Sequence, residues 1–158
     1  MKSGMLHAYL HGVGVEIMAN SDNVLRGGLT SKHIDVPELM HVVQFDALLD
    51  PIAPAENVVL SSHGIVPAEG IETVEYLIPV PEFRLSRSHL APCRESHLGI
   101  EGPFIVLVTE GTVTLTSREC PEGLSVSAGH AAWVGAWEDR PTIATGENSA
   151  TVFIARVP

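Results

Sequence analysis

The stretch FIVLVTEGTVTLTS, Phe104 to Ser117, decides the fold class of this chain of 158 residues. It consists of two runs rich in Val, Ile, Leu and Thr, the composition of β-strands, joined at Glu110-Gly111. A glycine-containing junction between two such runs predicts a β-hairpin. LSVSAGHAAWVGAW repeats the pattern around Ala128-Gly129, and ATVFIARV (Ala150 to Val157) predicts a last strand.

Further strands are predicted on the amino-terminal side of this stretch. VEYLIPV (Val74 to Val80) and FRLSRSHL (Phe83 to Leu90) have the same β-rich composition. The 14 glycines and 11 prolines interrupt the chain at regular intervals. Many short strands with such spacing predict an all-β jelly roll or sandwich rather than an α/β fold.

One short helix is predicted ahead of the strands. Asp35 is a helix-capping residue, and Glu38, three positions later, completes a capping box. The apolar side of this helix would consist of Leu39, Met40, Val42 and Val43.

Composition divides the chain into three parts. DALLDPIAPAENVVLSSHGIVPAEG, Asp46 to Gly70, contains three prolines and shows weak periodicity, as linkers do. We therefore expect a motif-bearing part over residues 1–46, a linker over 47–70 and a β-domain over 71–158.

Charge excludes several classes of function. The formal net charge is −10, and the nine Lys and Arg are scattered. Without a basic patch, we expect neither a nucleic-acid nor a membrane partner. The apolar runs are too short to span a bilayer and no secretory signal is visible, so a cytoplasmic protein is expected. Cys93 and Cys120 lack CxxC spacing and are expected to be free thiols.

The segment HAYLHGVGVEIMANSDNVLRGGLTSK, His7 to Lys32, concentrates the residues that carry chemistry. On a strand, His7 and Tyr9 would share one face. Gly12 and Gly14 then permit a turn or bulge that returns Glu16 alongside them. Glu16 is available as an acid or a base.

The second half of the segment adds charge to this arrangement. Ser21-Asp22-Asn23 is turn chemistry, and the glycines after Arg26 permit close approach of a ligand to the backbone. Arg26 and Lys32 are suited to a small anionic substrate, because Arg can bind a phosphate or oxyanion through two donors. Taken singly, each residue is more typical of a turn or a solvated face. The cluster as a whole favours a site.

The order of these residues resembles the second signature of type I mannose-6-phosphate isomerases, zinc-dependent enzymes of the cupin superfamily. The family pattern is H-A-Y, an aliphatic residue, a glycine, then E-x-M-A-x-S-D-N, an aliphatic residue and R-A-G-x-T-P-K. Gly27 stands where the pattern has Ala, and Ser31 where it has Pro. The matching residues are His7-Ala8-Tyr9-Leu10, Gly12, Val15-Glu16, Met18-Ala19, Ser21-Asp22-Asn23, Leu25-Arg26, Gly28, Thr30 and Lys32.

The resemblance implies a fold, a reaction and roles for single residues. It implies a cupin jelly-roll barrel with one short helix, and it places residues 1–46 in the C-terminal part of the catalytic cupin domain. The reaction is the interconversion of mannose 6-phosphate and fructose 6-phosphate, with a proton moving between C1 and C2. His7 would be a zinc ligand. Arg26, Glu16 and Lys32 are the implied catalytic residues, and Tyr9 and Asp22 the implied substrate-binding residues.

The resemblance also shows what this chain lacks. The family takes its other zinc ligands from a Gln-x-His pair and a Glu that precede H-A-Y. The single glutamine, Gln44, is followed by Phe45 and Asp46. Since a catalytic zinc needs about three protein ligands, we expect zinc in the full-length enzyme and absent or weakly bound zinc in this chain.

The β-domain is expected to be a second, metal-free cupin-like barrel. Of the cupin ligand motifs, the nearest match is Ser127 to Ala132, which places Ala132 at the ligand position. Counting back from Gly111, the position of the cupin glutamate is occupied by Phe104. His63, His89, His97 and His130 are therefore interpreted as loop or core histidines.

Two classes of function remain open. The chain is either the C-terminal part of the isomerase, inactive without the N-terminal catalytic portion, or a stand-alone, non-catalytic cupin-like module that binds a sugar phosphate. A purely structural oligomerisation module would leave His7 to Lys32 unexplained. Because strands separated from a larger fold expose sheet edges, homodimers are also expected.

Overall fold

The structure is a computed structural model that describes residues 4–18, 20, 24–46, 55–57, 64–78 and 80–157. These residues contain ten β-strands and one α-helix. The helix α1 spans Val36–Val42. The strands are β1 (Ala55–Asn57), β2 (Ile71–Tyr76), β3 (Arg84–Leu90), β4 (Glu95–His97), β5 (Phe104–Glu110), β6 (Thr112–Thr116), β7 (Leu124–Ser127), β8 (Ala131–Val134), β9 (Thr142–Thr145) and β10 (Ala150–Arg156).

The strands form two antiparallel sheets. One has six strands in the order β1-β2-β3-β10-β5-β8, and the other has four in the order β4-β9-β6-β7. Strand neighbours in sequence are mostly not neighbours in a sheet, because the chain crosses between the two sheets. This arrangement confirms the predicted all-β jelly roll with one short helix.

The core consists of side chains from both sheets. On β5 and β10, alternate residues are buried, as the period of two in a strand requires. β6 and β9 in the smaller sheet contribute buried residues in the same way. The largest fully buried side chains are Phe104, Ile65, Leu90, Ile143, Ile154, Val106, Val108, Val113 and Val152.

The two predicted hairpins are wrong. β5 pairs with β10 and β8, whereas β6 pairs with β7 and β9 in the opposite sheet. Only Gly111 separates β5 from β6, and one residue is too short for the two-residue loop of the tightest common hairpins. The same holds for the junction at Ala128-Gly129, where β7 and β8 lie in different sheets.

Gly111 is the residue that allows this crossing. Its φ is +73°, and a side chain there would collide with the carbonyl oxygen of Ser149 and with Ala150. The Gly111 carbonyl accepts a hydrogen bond of 2.9 Å from the backbone N–H of Ala128. The glycine was recognised in the sequence, but its partner strands were not.

The chain divides into two compact units, Met1–Pro51 and Ile52–Pro158. Within the segment predicted as a linker, β1 pairs with β2, and the fully buried Ile65 forms an isolated bridge with Leu98. The boundaries 1–46, 47–70 and 71–158 stay a prediction beside this division. Residues 47–54 and 58–63, including His63, lie outside the described residues.

The predicted helix lies in the first unit. Asp35 is its N-cap and accepts a 3.0 Å hydrogen bond from the Glu38 backbone N–H. Val43 is the C-cap and not part of the helix, and no helix residue is buried. The apolar side chains of Met40 and Val42 are 58% and 44% exposed, whereas Leu39 and Val43 are half-buried, so the described residues cover this side only in part.

Candidate functional site

His7 and Tyr9 lie next to each other at the start of the candidate site. They are not in a strand, but their rings are in edge-to-face contact with centroids 6.1 Å apart. The Nδ1 atom of His7 lies 3.3 Å from the carbonyl oxygen of Met5. An Nδ1–H donor to this carbonyl would leave Nε2 available, which is how metal-binding histidines are commonly held.

Glu16 returns to the vicinity of Tyr9. A hollow of about 400 Å³ is lined by both residues, together with His11 and the stretch from Gly12 to Val15. Gly12 has a φ of +118°, a conformation that favours glycine and permits the bend. The hollow therefore brings a phenol, an imidazole and a carboxylate to one place.

The two candidate cations do not line this hollow. Arg26 is half-buried, whereas Lys32 is exposed and its backbone N–H donates a 3.1 Å hydrogen bond to Thr30 Oγ1. Gly28 has a φ of +147°. Asp22 lies outside the described residues. Of the six residues singled out, Tyr9 and Glu16 line the hollow, and His7 contacts Tyr9 without lining it.

Gly27 marks a departure from the family pattern that the structure can assess. A Cβ built on Gly27 would lie 2.9 Å from Cδ2 of Leu6. Leu6 is 56% exposed, so its side chain can move aside. The alanine of the family pattern would therefore be accommodated at this position at little cost.

The residues of the candidate segment are largely exposed to solvent. Among the described residues of Met1–Pro51, none is buried, and the apolar side chains of Leu10, Val13 and Leu29 are 92%, 100% and 96% exposed. Exposed apolar residues at this density are typical of a surface that another chain or segment covers.

The described residues do not provide a complete metal site. Across the described ranges, no three His, Cys, Asp or Glu side chains are grouped so that they could hold a metal ion. His7 is geometrically suited to be one ligand, but a catalytic zinc needs about three. The Nδ1 atom of His41 instead lies 3.9 Å from Glu38 in an exposed pair.

The two positions that the resemblance assigned to cupin metal ligands hold buried apolar side chains. Phe104 and Ala132, at the positions of the cupin glutamate and the last cupin histidine, are 2% and 5% exposed. Phe104 pairs with Val134, and Ala132 with Val106. His89, His97 and His130 are exposed side chains of the barrel. Cys93 and Cys120 are both free thiols.

One cluster of charged residues was missed by sequence reasoning. Glu75, Arg84 and Arg156 meet at one end of the six-stranded sheet, where Glu75 Oε1 lies 3.7 Å from Arg84 Nε and 3.9 Å from Arg156 Nη2. Burial lowers the pKa of the Arg156 guanidinium, Glu75 opposes this shift and Arg84 reinforces it. Their meeting depends on the pairing of β3 with β10 and with β2, which no local sequence pattern specified.

Comparisons with known proteins define the class and then the family. A protein of unknown function from Vibrio parahaemolyticus superposes with a TM-score of 0.50 at 13% identity, over 65% of this chain and 98% of that one. This likeness supports the fold alone, a jelly roll of two antiparallel sheets. No protein-family model matches the chain.

The curated relatives are more specific. The mannose-6-phosphate isomerase of Salmonella typhimurium is 37% identical over 140 residues, which are 89% of this chain and 32% of the relative. That of Escherichia coli is 35% identical over 147 residues, 93% of this chain and 34% of the relative. The chain belongs to the mannose-6-phosphate isomerase family, and it spans about a third of the length of these relatives.

Within the described residues, no helix is both long and apolar enough to cross a membrane.

Proposed function

We propose that the chain is the C-terminal part of a zinc-dependent isomerase that interconverts mannose 6-phosphate and fructose 6-phosphate. The observation that carries the proposal is the hollow in which Tyr9 and Glu16 meet beside His7. These residues match the family's signature in order and spacing. The family relationship adds weight, because the relatives named mannose-6-phosphate isomerase match 89% and 93% of this chain.

Each residue is proposed to have one task in the proton transfer between C1 and C2. Glu16 takes or returns the proton, since a carboxylate lining the hollow is within reach of a bound substrate. Arg26 stabilises the negative charge that develops on the substrate oxygens. Lys32 supplies a second positive charge, and Tyr9 and Asp22 orient the sugar phosphate.

We propose that the metal is shared with a part of the protein outside this sequence. When bound, zinc would supply Lewis-acid stabilisation of the oxyanion. His7 fits a ligand role because an Nδ1–H donor to Met5 O, 3.3 Å away, would leave Nε2 available to a metal. Among the described residues no group of three His, Cys, Asp or Glu side chains could hold the metal, and in this proposal a complementing N-terminal portion supplies the remaining ligands.

A coupled isomerase assay tests this proposal. The chain is assayed with zinc, alone and mixed with the N-terminal portion of the Salmonella typhimurium relative, and fructose 6-phosphate formation is followed. We expect turnover only in the mixture, and its loss with Arg26→Gln or Glu16→Gln. Arg118→Gln is the matched control, because Arg118 is 79% exposed in a surface ion pair of the barrel.

Two results would contradict the proposal. Turnover by the chain alone would show that the site is already complete. Saturable binding of mannose 6-phosphate without metal, together with no turnover in the mixture, would favour a non-catalytic sugar-phosphate binding module. In that case, Tyr9→Phe and Glu16→Gln would weaken binding rather than turnover.

A further inference from the structure

We propose that Glu75, Arg84 and Arg156 form a binding site for a phosphate group, either inorganic phosphate or a phosphate monoester. The site lies at one end of the six-stranded sheet and is called the Arg84–Arg156 site below. All three residues belong to the unit Ile52–Pro158. The proposal is therefore independent of isomerase chemistry at His7 to Lys32.

Strand register brings the two arginines together. Arg156 is directly opposite Arg84 in the antiparallel pairing of β10 with β3. Side chains of directly opposed residues start about 4.5–5.5 Å apart at Cβ, so both guanidinium groups reach the same space. Arg84 continues the inward alternation of Ser86 and Ser88, and Arg156 that of Ile154.

One carboxylate oxygen is shared between the two arginines of this cluster. Oε1 of Glu75 lies 3.7 Å from Arg84 Nε and 3.9 Å from Arg156 Nη2. Both distances exceed the ~2.7–2.9 Å of a charge-assisted hydrogen bond, so neither guanidinium group is hydrogen-bonded to this carboxylate. Like charges directly opposite each other destabilise a sheet, and a bound anion would remove this repulsion.

The donors of Arg156 are also unused. A guanidinium has five N–H donors, yet among the described residues Arg156 makes the ion pair with Glu75 and no hydrogen bond. Its side chain is only 8% exposed, yet none of its nitrogen atoms is both shut off from solvent and without a partner, so they remain accessible to an anion. Arg84 donates one long hydrogen bond of 3.5 Å to the Val80 carbonyl.

Ser86 adds a hydroxyl to the same face. It lies between Glu75 on β2 and Ile154 on β10, and it is 7% exposed. Within the described ranges its side chain has no hydrogen-bond partner, in contrast to Ser88, which pairs with Thr73 at 2.8 Å. Ser86 is therefore free to donate a hydrogen bond to an oxyanion held by the arginines.

The surroundings strengthen binding and still leave access. Arg156 pairs on its other side with the buried Phe104, and burial together with Arg84 lowers its pKa. Charge interactions are stronger in such an environment than in water. Arg84 and Glu75 are 37% and 27% exposed, so solvent reaches the cluster from their side.

A phosphate group fits this donor set better than a second carboxylate does. Its several acceptor oxygens can be shared between two guanidinium groups and a hydroxyl. A carboxylate has two oxygens and would occupy the fork of one arginine. An ion-pair network with no ligand is the competing explanation, and it makes a different prediction for removal of Glu75.

Isothermal titration calorimetry and thermal unfolding with inorganic phosphate at constant ionic strength test the proposal. We expect saturable binding and a rise in melting temperature, with affinity lowered about tenfold or more in Arg156→Gln and in Arg84→Gln. Glu75→Gln should bind phosphate more tightly, because it removes a competing carboxylate. The control is Arg87→Gln, an exposed arginine on the outer face of β3, which should bind like the unchanged chain.

A second arm repeats the titration with mannose 6-phosphate and compares each variant with the unchanged chain. Tighter binding of the ester than of inorganic phosphate, lost in Arg156→Gln, would identify a monoester site, and equal binding a free-phosphate site. Absence of saturable phosphate binding in the unchanged chain would overturn the proposal. Binding that survives in both arginine variants would also overturn it, as would a Glu75→Gln variant that loses stability and gains no affinity. No arm measures turnover, so failure here is distinct from failure of the isomerase proposal.

Discussion

The two units of the chain contrast in where their side chains lie. The unit Ile52–Pro158 has a continuous core between two sheets, whereas every described residue of Met1–Pro51 is exposed or half-buried. Yet the residues that match the isomerase signature all lie in Met1–Pro51. The contrast teaches that the barrel is stabilised by a core of its own, whereas the described residues of the part with the proposed chemistry provide no such core.

Removal of a core side chain should lower the free energy of unfolding more than any other change considered below. Phe104→Ala in β5 deletes a 2% exposed aromatic ring and is expected to cost about 3–5 kcal/mol of unfolding free energy. Ile105→Ala on the same strand is the control, because Ile105 is 41% exposed. Leu10→Ala in the other unit should change stability by less than about 0.5 kcal/mol. Urea unfolding measures all three, and similar losses for Phe104→Ala and Leu10→Ala would break the contrast.

A side chain added at Gly111, where the chain crosses from β5 to β6, should cause the next largest loss of stability. Gly111→Ala combines a φ of +73° with a collision against Ser149 and Ala150, so we expect a loss of more than about 2 kcal/mol. Gly129→Ala is the matched control, since its φ is +83° but a Cβ there has open space. It should lose about 1 kcal/mol. Equal losses in thermal unfolding would mean that the tight packing at Gly111 is unimportant.

A buried hydroxyl pair gives a smaller effect within the barrel. Ser88 and Thr73 share a 2.8 Å hydrogen bond on the inner face of β3 and β2. Ser88→Ala leaves the Thr73 hydroxyl unpaired and should cost about 1–2 kcal/mol. Adding Thr73→Val should recover part of this loss, because the unpaired group is then removed. A double variant less stable than the sum of the single variants would contradict this explanation.

The smallest effect is expected in the first unit. Asp35→Ala removes the N-cap of α1 and should destabilise this helix by about 1 kcal/mol. Because no residue of α1 is buried, the melting temperature of the barrel should not change. Residue-specific NMR shifts of Val36–Val42 report the loss of helix. A shifted barrel transition would mean that the two units are energetically coupled.

The sequence predicted individual strands and the helix better than it predicted which strands pair with each other. The β5 and β10 strands and the Asp35 cap follow from local patterns, because alternation and capping involve neighbouring residues. The pairing of β5 with β10 joins residues far apart in sequence, and no local signal specified it. β9 was missed although Thr142–Thr145 contains β-branched residues between Pro141 and Gly146, since four residues give too short a pattern.

The candidate site shows the same limit. The signature named Tyr9 and Glu16, but it did not locate them in a hollow outside any strand. The Arg84–Arg156 site was missed because arginines in strands are usually interpreted as surface residues. Their inward register becomes visible only once β3, β10 and the core are placed together.

Hydrogen exchange on the chain alone tests the central contrast most directly. We predict that the amides of β5 and β10 exchange only through global unfolding of the barrel, and that those of Val36–Val42 open with a free energy near zero, below about 1 kcal/mol. Mixing with the complementing N-terminal portion should raise protection in Met1–Pro51 alone. Equal protection of α1 and β10 in the chain alone would contradict the account.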